Sequence, residues 1–229
     1  MPVFHTKTIE SILEPIAQQI SKLVILHEEA DNGNSMPDLS LSLQVVRQAA
    51  DNLIRVGRQT CETTEDSLLQ KELPQALNQV KNACEALETA SINLKSDSKS
   101  ATGKRKLVEG ERGILQGISA ILLTLDESQV RKIVNSCKQV IEYLSITELI
   151  DKTDDLVTYI KNMTPVLAQM TREVDAREKE LTNPTSRERL CEHLDQVKTL
   201  IPSFISSIKV VLILNPSIDT IDKQIMYFA

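Results

Sequence analysis

The sequence predicts an all-α protein made of two tandem four-helix bundles that share one long central helix. Three observations predict it. Apolar residues recur every three or four positions through almost all of the 229 residues, which places them on one face of successive helices. Between Leu107 and Leu144 the pattern runs on for about 40 residues, on the order of 60 Å at 1.5 Å per residue, too long for one short bundle to cover. Aromatic residues make up only 3% and tryptophan is absent, so the core must be built from Leu, Ile, Val and Ala, which suits helix packing better than a β-sandwich.

Taken in order, the chain divides into seven predicted helices, the last one short. The first spans Met1 to Glu29, with Thr6 as its N-cap and Ile9, Ile12, Leu13, Ile16, Ile20, Leu23 and Val24 on one face. Pro15 sits inside it, removes a backbone hydrogen bond and weakens it where its apolar stripe is richest. A polar run from Ala30 to Ser35, closed by Pro37, ends it. The second helix opens at Asp38 or Ser40, carries Leu43, Val46, Ala49, Ala50, Leu53 and Val56, and fades from Gly57 to Thr64. Thr63 to Asp66 resembles a fresh cap for a short piece, Ser67 to Leu73, that stops at Pro74. The third helix then runs from Gln75 to about Leu94, followed by a loop from Ser96 to Ser100.

The long fourth helix comes next. A fifth is expected from Thr147 to Leu181 and a sixth from Asn183-Pro184 to Asn215-Pro216, with kinks at Pro165 and Pro202. The seventh opens at Ser217 with Ile218, Ile221, Ile225 and Phe228 on one face; either it is cut short or the second bundle is open at one end. All six glycines lie in the first 117 residues, so the later helices should be uninterrupted. The expected division is 1–120 for the first bundle and 121–229 for the second.

Composition excludes several functions. A net charge of −6 argues against a general nucleic-acid binder, and Lys104-Arg105-Lys106 reads as a solvated helix start. Four dispersed cysteines without CxxC spacing signal neither zinc nor redox chemistry; Cys84 and Cys137 fall on apolar stripes as small core residues. With no signal peptide and no apolar run near 18 residues, a cytosolic chain with reduced thiols and no direct membrane insertion is expected. None of the three histidines completes a Glu-x-x-His motif, and HExxH, the P-loop and the nucleophile elbow are absent. No enzyme, metal or cofactor is expected.

The pattern does allow recognition of a helix. An amphipathic partner helix offers the same kind of surface as a bundle helix and gains roughly 25 cal/mol per Å² of apolar area by inserting. Pro15 and the small residues Ala49 and Ala50 lower the cost of parting the first two helices. The rival expectation is a passive structural bundle whose first helix is simply core.

The opening run MPVFHTKTIESILEPIAQQISKLVILHEE resembles the head region of the vinculin/α-catenin family. The resemblance continues collinearly through Asn52–Gly57, Thr63–Asp66, Gly110–Leu115, Leu123–Glu127, Val130–Ile133, Asp155–Tyr159 and on to about residue 212. It implies a cytoskeletal adhesion adaptor, cytoplasmic at cell-matrix or cell-cell adhesion sites. It further implies that talin vinculin-binding helices, and similar helices of α-actinin and α-catenin, insert between the first two helices. Carried over by position, Ile12, Ile16, Ile20 and Leu23 would line one wall of the groove, and Leu43, Val46, Ala49, Leu53 and Val56 the other. Ala49 occupies the place where the family keeps a small residue deep in the groove. The actin-binding vinculin tail that packs on this region in full-length family members has no counterpart in the sequence.

Overall fold

The computed structural model describes residues 6–31, 40–97 and 99–214. Six α-helices follow one another: α1 (Lys7–Asp31), α2 (Ser40–Thr63), α3 (Ser67–Ser96), α4 (Ala101–Ser145), α5 (Thr153–Glu180) and α6 (Pro184–Leu214), with a short 3-10 helix, Thr147–Leu149, between α4 and α5. Among the described residues there is no strand apart from isolated bridge positions. The expected seventh helix and positions 32–35 of the polar run lie outside the described residues, while α1 takes in Ala30 and Asp31, past its expected end at Glu29.

The chain separates into two units, Met1–Gln129 and Val130–Ala229, and α4 runs through the division. In the first unit the cores of α1, α2, α3 and the first half of α4 merge into one apolar cluster, a four-helix bundle. Among the described residues of the second, the end of α4 joins α5 and α6 around Val140, Leu156, Tyr159, Met163, Met170, Val174, Leu194 and Ile201. Tyr143 and Tyr159 meet edge to face there, with ring centroids 6.3 Å apart.

The expected break at Pro74 does not occur. Pro74 lies inside α3, which is continuous from Ser67 to Ser96. A proline in a helix interior costs about 3 kcal/mol. Leu69, Leu73 and Leu77 carry the buried stripe across that position, and together their burial outweighs the loss. Asp66 starts the helix as expected: its carboxylate accepts from the Leu68 and Leu69 amides at 3.0 and 3.2 Å. It also accepts from the Ser128 hydroxyl at 2.7 Å.

Other boundaries shift. α2 continues to Thr63 because Gly57 is buried against Leu77 rather than marking a fade. The expected fifth helix loses its first turn to the 3-10 helix and an extended Lys152. The Thr6 carbonyl accepts from the Glu10 amide at 3.1 Å, but its buried hydroxyl has no hydrogen-bond partner among the described residues, so the expected side-chain cap is not among them. Asn183 caps α6, accepting from the Ser186 amide at 3.0 Å. The triplet Lys104-Arg105-Lys106 lies in the first two turns of α4, with Arg105 and Lys106 exposed.

The glycines have a packing role that their distribution did not reveal. Gly103, Gly110 and Gly117 are seven apart on α4 and lie against Leu94, Leu87 and Val80, seven apart on α3. A Cβ at Gly110 would stand 3.1 Å from both the backbone nitrogen and Cα of Leu87. The two helices therefore approach more closely than any side chain would permit.

α6 also departs from expectation. Among the described residues it is long and apolar enough by length and composition to cross a membrane, with an 18-residue window of mean hydropathy 1.8. Lys198 and Lys209 interrupt its apolar stretch, which is why no continuous run stands out in the sequence. Leu200, Val210, Val211, Ile213 and Leu214 are exposed on it.

Electrostatics in the second unit centre on Glu173. Burial works to raise its carboxyl, but hydrogen bonds from Ser136 at 2.5 Å and Gln169 at 3.1 Å, with the Lys132 ammonium at 3.5 Å, hold it below the usual range. A depressed carboxyl contributes stability above its unfolded value and loses it as pH falls through the folded one. Acidification below about pH 4.5, near the unfolded glutamate value, should therefore weaken this unit. Tyrosine fluorescence checks this, since Tyr143 and Tyr159 both lie in it; an unchanged urea midpoint between pH 6 and pH 4 would refute it.

Candidate helix-binding groove

The first unit contains the residues the sequence assigned to a partner-helix groove. α1 packs directly on α2, and α2 on α3. α3 is seated against α4 through the glycines, and all four helices share one core cluster, the arrangement of a four-helix ring in chain order.

The faces of α2 can be assigned from its contacts. Arg47 donates to Asp51 at 3.0 Å and to Glu88 of α3, while the Lys95 ammonium of α3 donates to the Ser40 hydroxyl at 2.8 Å. These residues mark the α3 side. At about 100° per residue, Val45, Ala49, Leu53 and Val56 fall on the opposite flank, toward α1. Apolar residues hold the middle of this flank, with Ser42 at one end and Thr60 and Thr63 at the other.

Burial divides the expected groove residues in three. Ile16, Ile20, Leu23 and Val46 are buried in the core cluster. Ile12, Leu43, Ala49 and Leu53 are half-buried and pack against it. Pro15 and Val56 are exposed, Val56 by 47%. The structure thus brings nine of the ten onto the apolar side of α1 or α2 and leaves Pro15 on the outer surface, where its missing amide touches only the helix itself. α1 nevertheless stays one helix.

Ala49 and Ala50, adjacent in sequence, differ sharply. Ala50 is fully buried in the core, whereas Ala49 sits at the half-buried edge on the α1 side. Of the two, only Ala49 lies at the edge of the core.

Sequence reasoning missed three residues. Ile25, Leu41 and Val45 are 53, 77 and 50% exposed. Leu41, Val45, Ala49 and Leu53 recur at intervals of four, a spacing that was legible in α2 but was overshadowed by the stronger core stripe.

α1 is held more lightly than α3 among the described side chains. Four of its apolar residues are buried, against ten residues of α3. At roughly 1.5–3 kcal/mol per buried aliphatic side chain, releasing α1 forfeits on the order of 6–12 kcal/mol, which an incoming stripe of similar size would restore.

Three groups of the unit, Cys61, Cys84 and Glu111, are raised by burial. Cys84 is buried behind α2 and its thiol is pushed up to about 11, which makes it an inert core residue. All four cysteines are free thiols, and Cys137 is half-buried against the second cluster. Maleimide should label Cys61 and Cys191 well before Cys84; equal rates by mass spectrometry would show that the bundle is already open. Glu111 on α4 is 2% exposed, and both its carboxylate oxygens lack a hydrogen-bond partner among the described residues. Burial alone pushes it up to about 7. Among the described residues no cluster of His, Cys, Asp and Glu could hold a metal ion.

An all-helical chain of paired bundles, with an apolar seam between its first two helices, defines a class of helical-bundle modules. Within that class, the family model described as the vinculin family matches residues 3–225, and the chain belongs to that family. It is 54% identical to vinculin of Drosophila melanogaster over 210 residues, covering 92% of this chain and 22% of that protein. It is 47% identical to vinculin of Homo sapiens over 211 residues, 92% of this chain and 19% of that protein. The chain therefore spans about a fifth of the length of the curated relatives it matches. Among solved structures, the vinculin homologue of a sponge superposes with a TM-score of 0.87 at 41% identity, covering 94% of this chain and 27% of that one. A chain of the HMP-1–HMP-2 complex shares the fold, with a TM-score of 0.65 at 16% identity.

Proposed function

We propose that this chain is an adhesion-adaptor module whose first bundle binds amphipathic helices by admitting them between α1 and α2. The apolar flank of α2 toward α1, with Val45 and Val56 exposed beside half-buried Ala49, carries this reading. An incoming helix with anchors at i, i+4 and i+7 would cover that flank and replace the core contacts that α1 gives up. Family membership supports talin vinculin-binding helices as the first partner, with α-actinin and α-catenin helices as further ones. It also supports a cytoplasmic location at adhesion sites, and the vinculin tail as a competing occupant in longer family members.

Titration of a fluorescently labelled talin-type helical peptide tests the proposal. Saturable binding at or below micromolar protein is expected, and its absence would defeat the reading. Ala49→Ile should fill the shallow place and weaken binding by more than about 1 kcal/mol with the bundle still folded, since overpacking costs about 1–3 kcal/mol. Unchanged affinity would place the groove elsewhere.

A further inference from the structure

Glu111 occupies a core position of α4, among Leu107, Ile114 and Ile118, which are fully buried. Nothing in the architecture of a helical bundle requires an acid there, and neither oxygen meets a donor among the described residues. Its direction on α4 follows from helix geometry. Gly103, Gly110 and Gly117 face α3, and Glu111 lies about 100° round from Gly110, on the flank away from that seam. In the ring order of the helices that flank is the one toward α1.

We propose that Glu111 is an opening device for the first bundle: its buried, unpartnered carboxylate, when ionised, favours the state in which α1 has lifted from the core and water reaches α4. A buried charge without a partner destabilises the closed state, and hydration on opening removes that penalty. α1 is the element that yields, because it lies on the flank of α4 that Glu111 occupies and Pro15 has already removed one of its hydrogen bonds. Among the described residues, the inward faces of the other helices offer no counter-charge. They present Ile20 and Leu23 from α1, Val46 and Ala50 from α2, and Cys84 and Leu87 from α3, of which Cys84 alone can titrate. Arg47 of α2 is engaged at the rim by Asp51 and by Glu88 of α3, while Lys22 of α1 and Arg112 of α4 are exposed. Burial is accordingly the sole influence on the Glu111 carboxyl.

The consequence for partner binding rests on the proposed function. Opening becomes easier as pH rises from about 4.5 to about 7, between the values of the hydrated and the buried carboxyl, and levels off above that. Helix binding should tighten over the same range.

The test compares the wild-type chain with Glu111→Gln, and with Glu111→Leu as a second variant, by hydrogen exchange at pH 4 and pH 8. Comparison at matched pH cancels the chemical exchange rate. At pH 4 the α1 amides should be protected nearly alike in all three proteins. At pH 8 they should exchange at least about tenfold faster in the wild type, a ratio corresponding to 1.4 kcal/mol, and well before the α3 amides of the same protein. A ratio that does not vary with pH overturns the device. Wild-type α1 amides that exchange only as fast as α3 amides at pH 8 also overturn it, because the bundle would then open as a whole. Peptide titration on the same proteins separates the two claims. A pH-dependent α1 difference without peptide binding defeats the groove and leaves the device. Peptide binding with the same pH slope in all three proteins defeats the device and leaves the groove.

Discussion

Glu111→Leu should stabilise the first unit by about 3 kcal/mol at pH 8 and by little at pH 4. The carboxyl is raised by burial from the ordinary glutamate range up to about 7. Its folded value lies above its unfolded one, so the fold is least penalised below the unfolded value, near pH 4.5, and loses stability as pH rises toward 7. Above pH 7 both states are ionised and the full penalty persists, about 3 kcal/mol at 1.36 kcal/mol per pH unit. Leucine removes it and adds apolar burial at a position already lined by Leu107 and Ile114. Two described tyrosines lie in the second unit, so tyrosine fluorescence would largely miss the change. Hydrogen exchange of the α3 core amides against urea reads it directly. A midpoint that moves equally at pH 4 and pH 8 would show that the gain comes from packing alone. The two units thus carry opposite pH responses, the first weakened as Glu111 ionises and the second as Glu173 takes up a proton.

Gly110→Val should destabilise the first unit by about 3 kcal/mol, at the upper end of overpacking costs. Gly to Ala in an exposed helix interior gains about 1 kcal/mol through backbone entropy, so the sign of the effect is diagnostic. At Gly110 the first side-chain atom already stands 3.1 Å from the Leu87 backbone, and backbone cannot swing aside as a side-chain tip can. A branched residue must push α3 and α4 apart along a seam shared with Gly103 and Gly117. Gly113 gives a milder comparison, since a Cβ there meets only the Ala83 methyl, at 3.0 Å. Circular dichroism against urea for both variants checks the ranking. Equal costs at the two positions would show that the seam is not the limiting contact.

Much of the architecture was legible because a helix advertises its buried face at a spacing of three and four. The stripes of α1, α2 and α4, the cap at Asp66 and the stop before Pro184 all follow from neighbours in sequence. The groove was legible only in part. Ile16, Ile20, Leu23 and Val46 read as apolar, but periodicity does not distinguish a residue at the centre of the core from one at its edge. Ala49 and Ala50 make the point: identical and adjacent, they are separated only by which helix packs against each.

By itself, the sequence determined the class of fold, the long helix shared by two units and the face that each helix turns inward. These depend on local spacing, and local spacing is written in the chain. The tertiary structure decided what depends on partners distant in sequence. It carried α3 through Pro74, because buried leucines on both sides outweigh one missing hydrogen bond. It turned three glycines from helix weaknesses into a close seam. It also enclosed Glu111, an acid that in sequence resembles any solvated helix residue, among apolar side chains where its charge is costly. Burial arises from the packing of several helices together, and no stretch of sequence carries that information alone.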